Sequence, residues 1–156
     1  MISDMIKATG QLQIIVLDEN GQVKQELNVP NMIVNLGKNF IVSRMNLNPP
    51  TAMSHMAIGG NDTVTVPTMT TLVTEALSAG ATGTKIRAAV TTTVSNNSIT
   101  YSATFPSGSP TTAFTVKEAG IFNSATTGTM LARTTFGAVQ KNTNDSIVIN
   151  WTITIN

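Results

Sequence analysis

One histidine, eight carboxylates and no cysteine are the conventional acid–base and ligand chemistry that this 156-residue sequence contains. His55 lies in Ser54-His55-Met56-Ala57-Ile58, a short apolar stretch that reads as a strand. A single histidine excludes multi-histidine metal sites, and the lack of cysteine excludes thiolate sites and disulfides. A Ser-His-acid triad would have to use His55, yet no serine sits in the elbow pattern that exposes a nucleophile. A lone strand histidine is ordinarily structural. The acids are Asp4, Asp18, Glu19, Glu26, Asp62, Glu75, Glu118 and Asp145. Most fall in turns or at strand ends, where solvation accounts for them. A two-carboxylate glycosidase site depends on separation in space. Sugar cleavage usually also needs aromatic platforms, and aromatics are only 4% of the chain, with one Trp and one Tyr. Gly59-Gly60-Asn61-Asp62 lacks the alternating acids of a calcium loop and reads as a β-turn. Lys117-Glu118 and Arg133 can pair across strands as a structural ion pair of modest value. The expectation is a protein with no catalytic residue, no metal and no cofactor: not an enzyme.

The elements that would position these residues are mostly strands. Gln11–Leu17 is rich in β-branched residues, and Gln22–Val29 alternates between faces. Asn20-Gly21 joins them with the strongest short-range hairpin signal, because both positions tolerate positive φ. Pro30 is expected to end the second strand. Leu36, Phe40, Ile41 and Met45 form one apolar stripe, which predicts a short helix over residues 35–46, capped by Asn31 or Asn35 and stopped by Pro49-Pro50. Further strands are expected at Ser54–Ile58, Ile86–Val94, Ser98–Phe105, Ala113–Phe122, Met130–Phe136 and Ser146–Ile155. The last has the cleanest period of two: Ile147, Ile149, Trp151, Ile153 and Ile155 on one face, mainly polar residues on the other. Trp151 is expected in the core, with Phe122 and Phe136 as neighbours. No repeat or linker divides the chain. The fold class that follows is all-β, an antiparallel β-sandwich or jelly-roll-like domain over 11–156 with one short α-helix, preceded by an N-terminal arm over 1–10.

Composition narrows the function. Charged residues make up 11%, against roughly 25% in an ordinary soluble domain. Such a surface is poor at keeping monomers apart and suits a chain packed among neighbours. Net charge is +1, with nine basic and eight acidic residues scattered singly. A nucleic-acid partner normally demands a basic face, and a membrane surface a polybasic patch. Neither partner is expected. The first residues lack a signal-peptide pattern and no apolar run reaches membrane-spanning length, so neither export by a leader nor anchoring is expected. The missing cysteines fit synthesis in a reducing cytoplasm.

Several stretches resemble virion proteins of tailed bacteriophages. They are Asn31-Met32-Ile33-Val34-Asn35-Leu36-Gly37-Lys38-Asn39-Phe40-Ile41, then His55-Met56-Ala57-Ile58-Gly59, then Glu118-Ala119-Gly120-Ile121-Phe122-Asn123 with Gly128-Thr129-Met130-Leu131-Ala132-Arg133-Thr134, and finally Trp151-Thr152-Ile153-Thr154-Ile155. In order, they span about residues 30–155. The Glu-x-Gly-apolar-aromatic block is the most specific, and it is shared with tail-fibre and collar proteins. The resemblance implies a head cement (decoration) protein, made in the host bacterial cytoplasm and carried on the virion head surface. Its partners would be the major capsid protein and itself, as a homotrimer. A tail or baseplate structural or adhesin component is the alternative. The short chain without a heptad or Gly-rich stalk favours the head. Met1, Ile2, Met5 and Ile6 in the arm are the expected contacts with a neighbour, since apolar residues on a free arm invite cover.

Overall fold

The computed structural model describes residues 5–156. Two of the four expected contact residues, Met1 and Ile2, therefore lie outside the described part. Strand β1 (Ala8–Leu17) turns through Asp18–Gln22 into β2 (Val23–Ile33). The turn closes because Asp18 Oδ1 accepts the amides of Asn20 and Gln22, at 2.8 and 2.9 Å, while Gly21 takes φ 77°. That positive φ is what Asn-Gly supplies cheaply. Helix α1 (Asn35–Ser43), β3 (His55–Gly59), β4 (Ala88–Ala89) and β5 (Thr91–Ser95) follow. β6 (Ser98–Phe105), β7 (Phe114–Phe122), β8 (Met130–Lys141) and β9 (Ser146–Ile155) complete the described elements.

The strands join in the order β4-β3-β7-β8-β2-β1-β9-β6-β5, every pairing antiparallel. β2 is the hinge between the two layers: it pairs with β1 from Val23 to Asn31 and with β8 only at Met32 and Ile33. The strands at the two ends of the order, β4 and β5, are separated in sequence by Val90 alone. Sheet A (β2, β1, β9, β6, β5) and sheet B (β4, β3, β7, β8) therefore form an antiparallel sandwich nearly closed into a barrel.

The inward residues of β9 do what their period promised. Ile147, Ile149, Trp151 and Ile153 share the main core with Leu12 and Ile14 of β1, Tyr101 and Phe105 of β6, and Ile121, Leu131 and Phe136 from the other layer. Trp151 is wholly buried, and its Nε1 donates to Asn31 Oδ1 at 2.7 Å. Phe136 shares that core as expected. Phe122 instead belongs to a smaller cluster with Val34, Ala57, Leu72 and Met130.

Four sequence expectations shift. Pro30 does not end β2, which runs on to Ile33. Up to Asn31 the strand has a ladder partner on one side only, the setting in which a residue without an N–H is tolerated. The arm is shorter than ten residues, because Ala8, Thr9 and Gly10 already pair with Ile155, Thr154 and Ile153. The strand expected over Ile86–Val94 splits at Val90, where the chain leaves sheet B for sheet A. The helix ends at Ser43, with Val34 at its N-cap and no side-chain cap.

That helix seats on only part of the expected stripe: Phe40 is buried and Ile41 packs against the core, but Leu36 and Met45 do not. Its buried residues are Gly37 and Phe40, while Leu36 is 38% and Met45 87% exposed. Gly37 packs against the backbone carbonyl of Leu131 on β8, where a methyl group would collide with main chain. Glycine in a helix interior normally costs roughly 0.5–1 kcal/mol relative to alanine, so Gly37→Ala on an open helix would stabilise. Here the reverse is expected: the helix must lift from β8, and the urea midpoint should fall. An unchanged or raised midpoint would show that α1 is not held by this contact.

Candidate functional site

The densest chemistry in the molecule lies where Gly59, at the end of β3, meets two glutamates. Glu118 of β7 is its ladder partner, and Glu75 forms an isolated bridge to it from the loop that follows. Each glutamate has its own arginine.

Glu118 and Arg133 are both 0% exposed. Arg133 Nε donates to Glu118 Oε2 at 2.9 Å, and Nη2 lies 2.8 Å from the same oxygen. That second contact is off the line of the N–H bonds and serves as charge pairing. The remaining bonds reach into the loop over residues 60–76. Glu118 Oε1 accepts the Thr74 amide at 2.7 Å, and Oε2 accepts the Val73 amide at 3.1 Å. Arg133 Nη1 donates to the Thr63 carbonyl and to Thr65 Oγ1, at 2.9 and 2.8 Å. The pair thus holds both limbs of that loop against β7 and β8. The sequence suggested the pairing and assigned it the modest value of a surface bridge. Its complete burial makes it a different object, with desolvation set against five hydrogen bonds and with Arg133 Nη2 left in charge contact but without a hydrogen-bond acceptor.

The glycines of the neighbouring motifs make room for this arrangement. A side chain at Gly59 would collide with the Thr74 carbonyl and the Glu118 carboxylate. At Gly120, the space is already bounded by Leu72 and Phe122. Gly120 is level with Arg133 across the ladder, and the register shifts lie to either side of it. It admits a close neighbour and is not itself a bulge.

The second pair was not foreseen. Arg87 Nε and Nη2 grip Glu75 Oε1 and Oε2 at 2.7 and 3.1 Å, and Lys85 Nζ adds a third bond at 2.9 Å. Arg87 Nη1 also donates to the carbonyls of Ser124 and Thr127, and its guanidinium lies 3.6 Å from the centre of the Phe122 ring. One arginine thereby ties both limbs of the β3–β4 connection to the β7–β8 turn. The available signal was a glutamate and two cations flanking the small-residue loop Ser78–Gly83, a spacing that closes a loop with charge at both ends.

Burial alone would raise the Glu75 carboxyl, but hydrogen bonds from Arg87 and Lys85 outweigh it and hold the group below its ordinary value. Asp145 behaves likewise: burial opposes, while Lys24 Nζ at 2.7 Å and the Asn142 amide at 2.9 Å lower it. Both groups are depressed in the folded chain. Their contribution is complete above the ordinary carboxylate range near pH 4 and is lost as pH falls through the lowered folded values. Urea midpoints should therefore drop on acidification. Glu75→Gln should lower the midpoint at neutral pH and flatten that drop, and an unaltered pH profile in the variant would remove Glu75 as a cause.

The other described acids are also engaged. Asp62 meets Lys117, Glu26 accepts from Gln13, Glu19 from Asn144, and Asp18 closes its turn. His55 sits in β3 with Nδ1 2.8 Å from Ser54 Oγ, opposite Phe122 in the ladder. No cluster of three metal-ligating side chains occurs among the described residues. No described helix is long and apolar enough to cross a membrane. What the arrangement can do chemically is hold loops in place.

The outer face of sheet A is polar and mutually bonded: Ser98–Thr154, Thr100–Thr152 and Ser102–Asn150 pair across β6 and β9 at 2.8–2.9 Å. Elsewhere the surface is unexpectedly apolar. Leu47 is 96%, Met45 87%, Val64 74% and Val94 71% exposed. Met5 and Ile6, the described members of the expected contact set, are each 84% exposed. No protein-family model matches the chain, and no curated protein sequence matches it.

Proposed function

We propose that the chain is a structural protein of a tailed-bacteriophage virion: a cement protein that binds across subunits of the major capsid protein and stabilises the head. The observation that carries it is the exposure of Met5, Ile6, Val42, Met45, Leu47, Val64 and Val94 on a chain with only 11% charged residues. A surface of that kind calls for cover by neighbouring chains. The head assignment draws on the resemblance of the Glu118–Asn123 and Gly128–Thr134 blocks to phage virion proteins. In the fold these blocks form the β7–β8 hairpin that carries the buried Glu118–Arg133 pair. By the same resemblance the working unit is a homotrimer on the head surface, assembled in the host bacterial cytoplasm.

The mechanism is mass action. A protein that binds the assembled shell across subunit boundaries, and binds its separated parts less, shifts the equilibrium toward the shell. Quantitative mass spectrometry of purified virions tests the proposal. Copy number should scale with the capsid lattice, and particles lacking the chain should assemble yet burst at a lower temperature. A few copies per particle, or co-purification with detached tails, would defeat the cement assignment in favour of a tail or baseplate component.

A further inference from the structure

An uncharged groove opens at the end of the sandwich where β9 finishes and β6 begins. Ile41 of α1, Leu131 of β8, Val94 of β5, Ile99 of β6, and Ile153 and Ile155 of β9 line it. The chain carries its own segment suited to such a groove, and that segment starts at the groove's edge. Lys7 and Asn156 exchange backbone hydrogen bonds at 2.8 Å, extending the β1–β9 ladder by one residue beyond Ile155. Asn97, which lines the groove, donates its side-chain amide to the Ile155 carbonyl at 2.6 Å. Residues 1–6 precede this point, with Met1, Ile2, Met5 and Ile6 as four apolar members. Extended, they would span about 20 Å at roughly 3.3 Å per residue.

We propose that this groove receives the residue 1–6 segment of a second copy of the chain. The register favours a neighbour over the chain's own groove. Ile155 and Ile153 stand level with Ala8 and Gly10, on the body side of Lys7, and the ladder keeps β1 extended through Lys7. A segment that continued from Lys7 along the strand axis would leave its own groove behind it. Met5 and Ile6 are accordingly 84% exposed in the single chain. Seating them in a partner covers both apolar surfaces in a head-to-tail contact, which closes into a ring when its rotation allows. The inference names the self-contact of the proposed assembly without depending on a head location. A chain that associates this way but is scarce in virions would sink the cement proposal and leave this one standing.

The absence of native cysteine makes the test direct. Full-length Val94→Cys carrying a size tag is mixed with untagged Ile6→Cys, then oxidised and run without reductant. A tagged–untagged disulfide dimer is expected. Val23→Cys, 60% exposed at the far end of the hairpin, serves as the comparison for Ile6→Cys and should give none. In parallel, deletion of residues 1–6 should shift sedimentation to the monomer while leaving the circular dichroism spectrum unchanged. Cross-linking no greater than with Val23→Cys, a wild-type chain that sediments as a monomer, or an Ile6→Cys/Val94→Cys double variant that closes within single chains would each overturn the proposal.

Discussion

Replacing Arg133 with alanine is expected to cost about 3–5 kcal/mol of unfolding free energy, the magnitude for removing one member of a buried ion pair. The reason lies in what stays behind. Glu118 would keep the amides of Val73 and Thr74 but lose its cation partner, in a site with no solvent exposure. The Thr63 carbonyl and Thr65 hydroxyl would lose their donor as well. Glu118→Gln should be comparably damaging, since it strands a buried guanidinium. Arg133→Lys should recover little, because a single ammonium cannot reach the carboxylate and the two loop acceptors together. Urea unfolding gives the magnitude. Limited proteolysis gives the location, with cleavage expected first within residues 60–76. A loss below about 1 kcal/mol would place the pair among exposed salt bridges and remove its role as the loop's anchor.

Trp151→Ala is expected to cost about 3–5 kcal/mol, the range for truncating a fully buried large aromatic. Trp151 lies on β9 between Leu12 of β1 and Tyr101 of β6, near the middle of both ladders, so the cavity would open at the centre of the main core. Trp151→Phe separates two contributions. It fills much of the volume but removes the indole donor from Asn31 Oδ1, a loss of about 1–3 kcal/mol if that oxygen stays buried and unpaired. Asn31 Nδ2 is already buried with no acceptor among the described residues, which leaves this amide little to fall back on. As the only tryptophan, Trp151 also reports on itself. Its emission should be blue-shifted in the folded chain and move red in a single transition. An emission maximum already at the solvent-exposed value would contradict the buried site.

Where a pattern depends on neighbours one or two residues away, the sequence alone determined the structure. The period of two in β9, the hairpin turn at Asn20-Gly21 and the Ser98–Phe105 strand are local matters of side-chain alternation and allowed φ, and they stand, although of the two turn residues only Gly21 takes positive φ. The all-β class followed from them. Only the tertiary structure decided what depends on who lies across the gap. Pro30 reads as a strand end until β2 proves to lack a second ladder partner there. The helix stripe named Leu36, Phe40, Ile41 and Met45; Phe40 and Ile41 do meet the core, yet close approach to Leu131 puts Gly37 at the contact and leaves Leu36 and Met45 out, because a missing side chain lets two backbones touch. The site divides the same way. Glu118 and Arg133 sit on adjacent strands of a visible hairpin, so their pairing was legible. Their burial was not, since the loop that seals them returns from some 45 to 70 residues away in sequence. Glu75 and Arg87, the Phe122 ring and the carbonyls of Ser124 and Thr127 meet only because the pairing of β4, β3 and β7 brings the β3–β4 connection and the β7–β8 turn to one place. Local periodicity carries information about faces; long-range pairing is set by the summed burial of every strand at once, and no short stretch of sequence holds that sum.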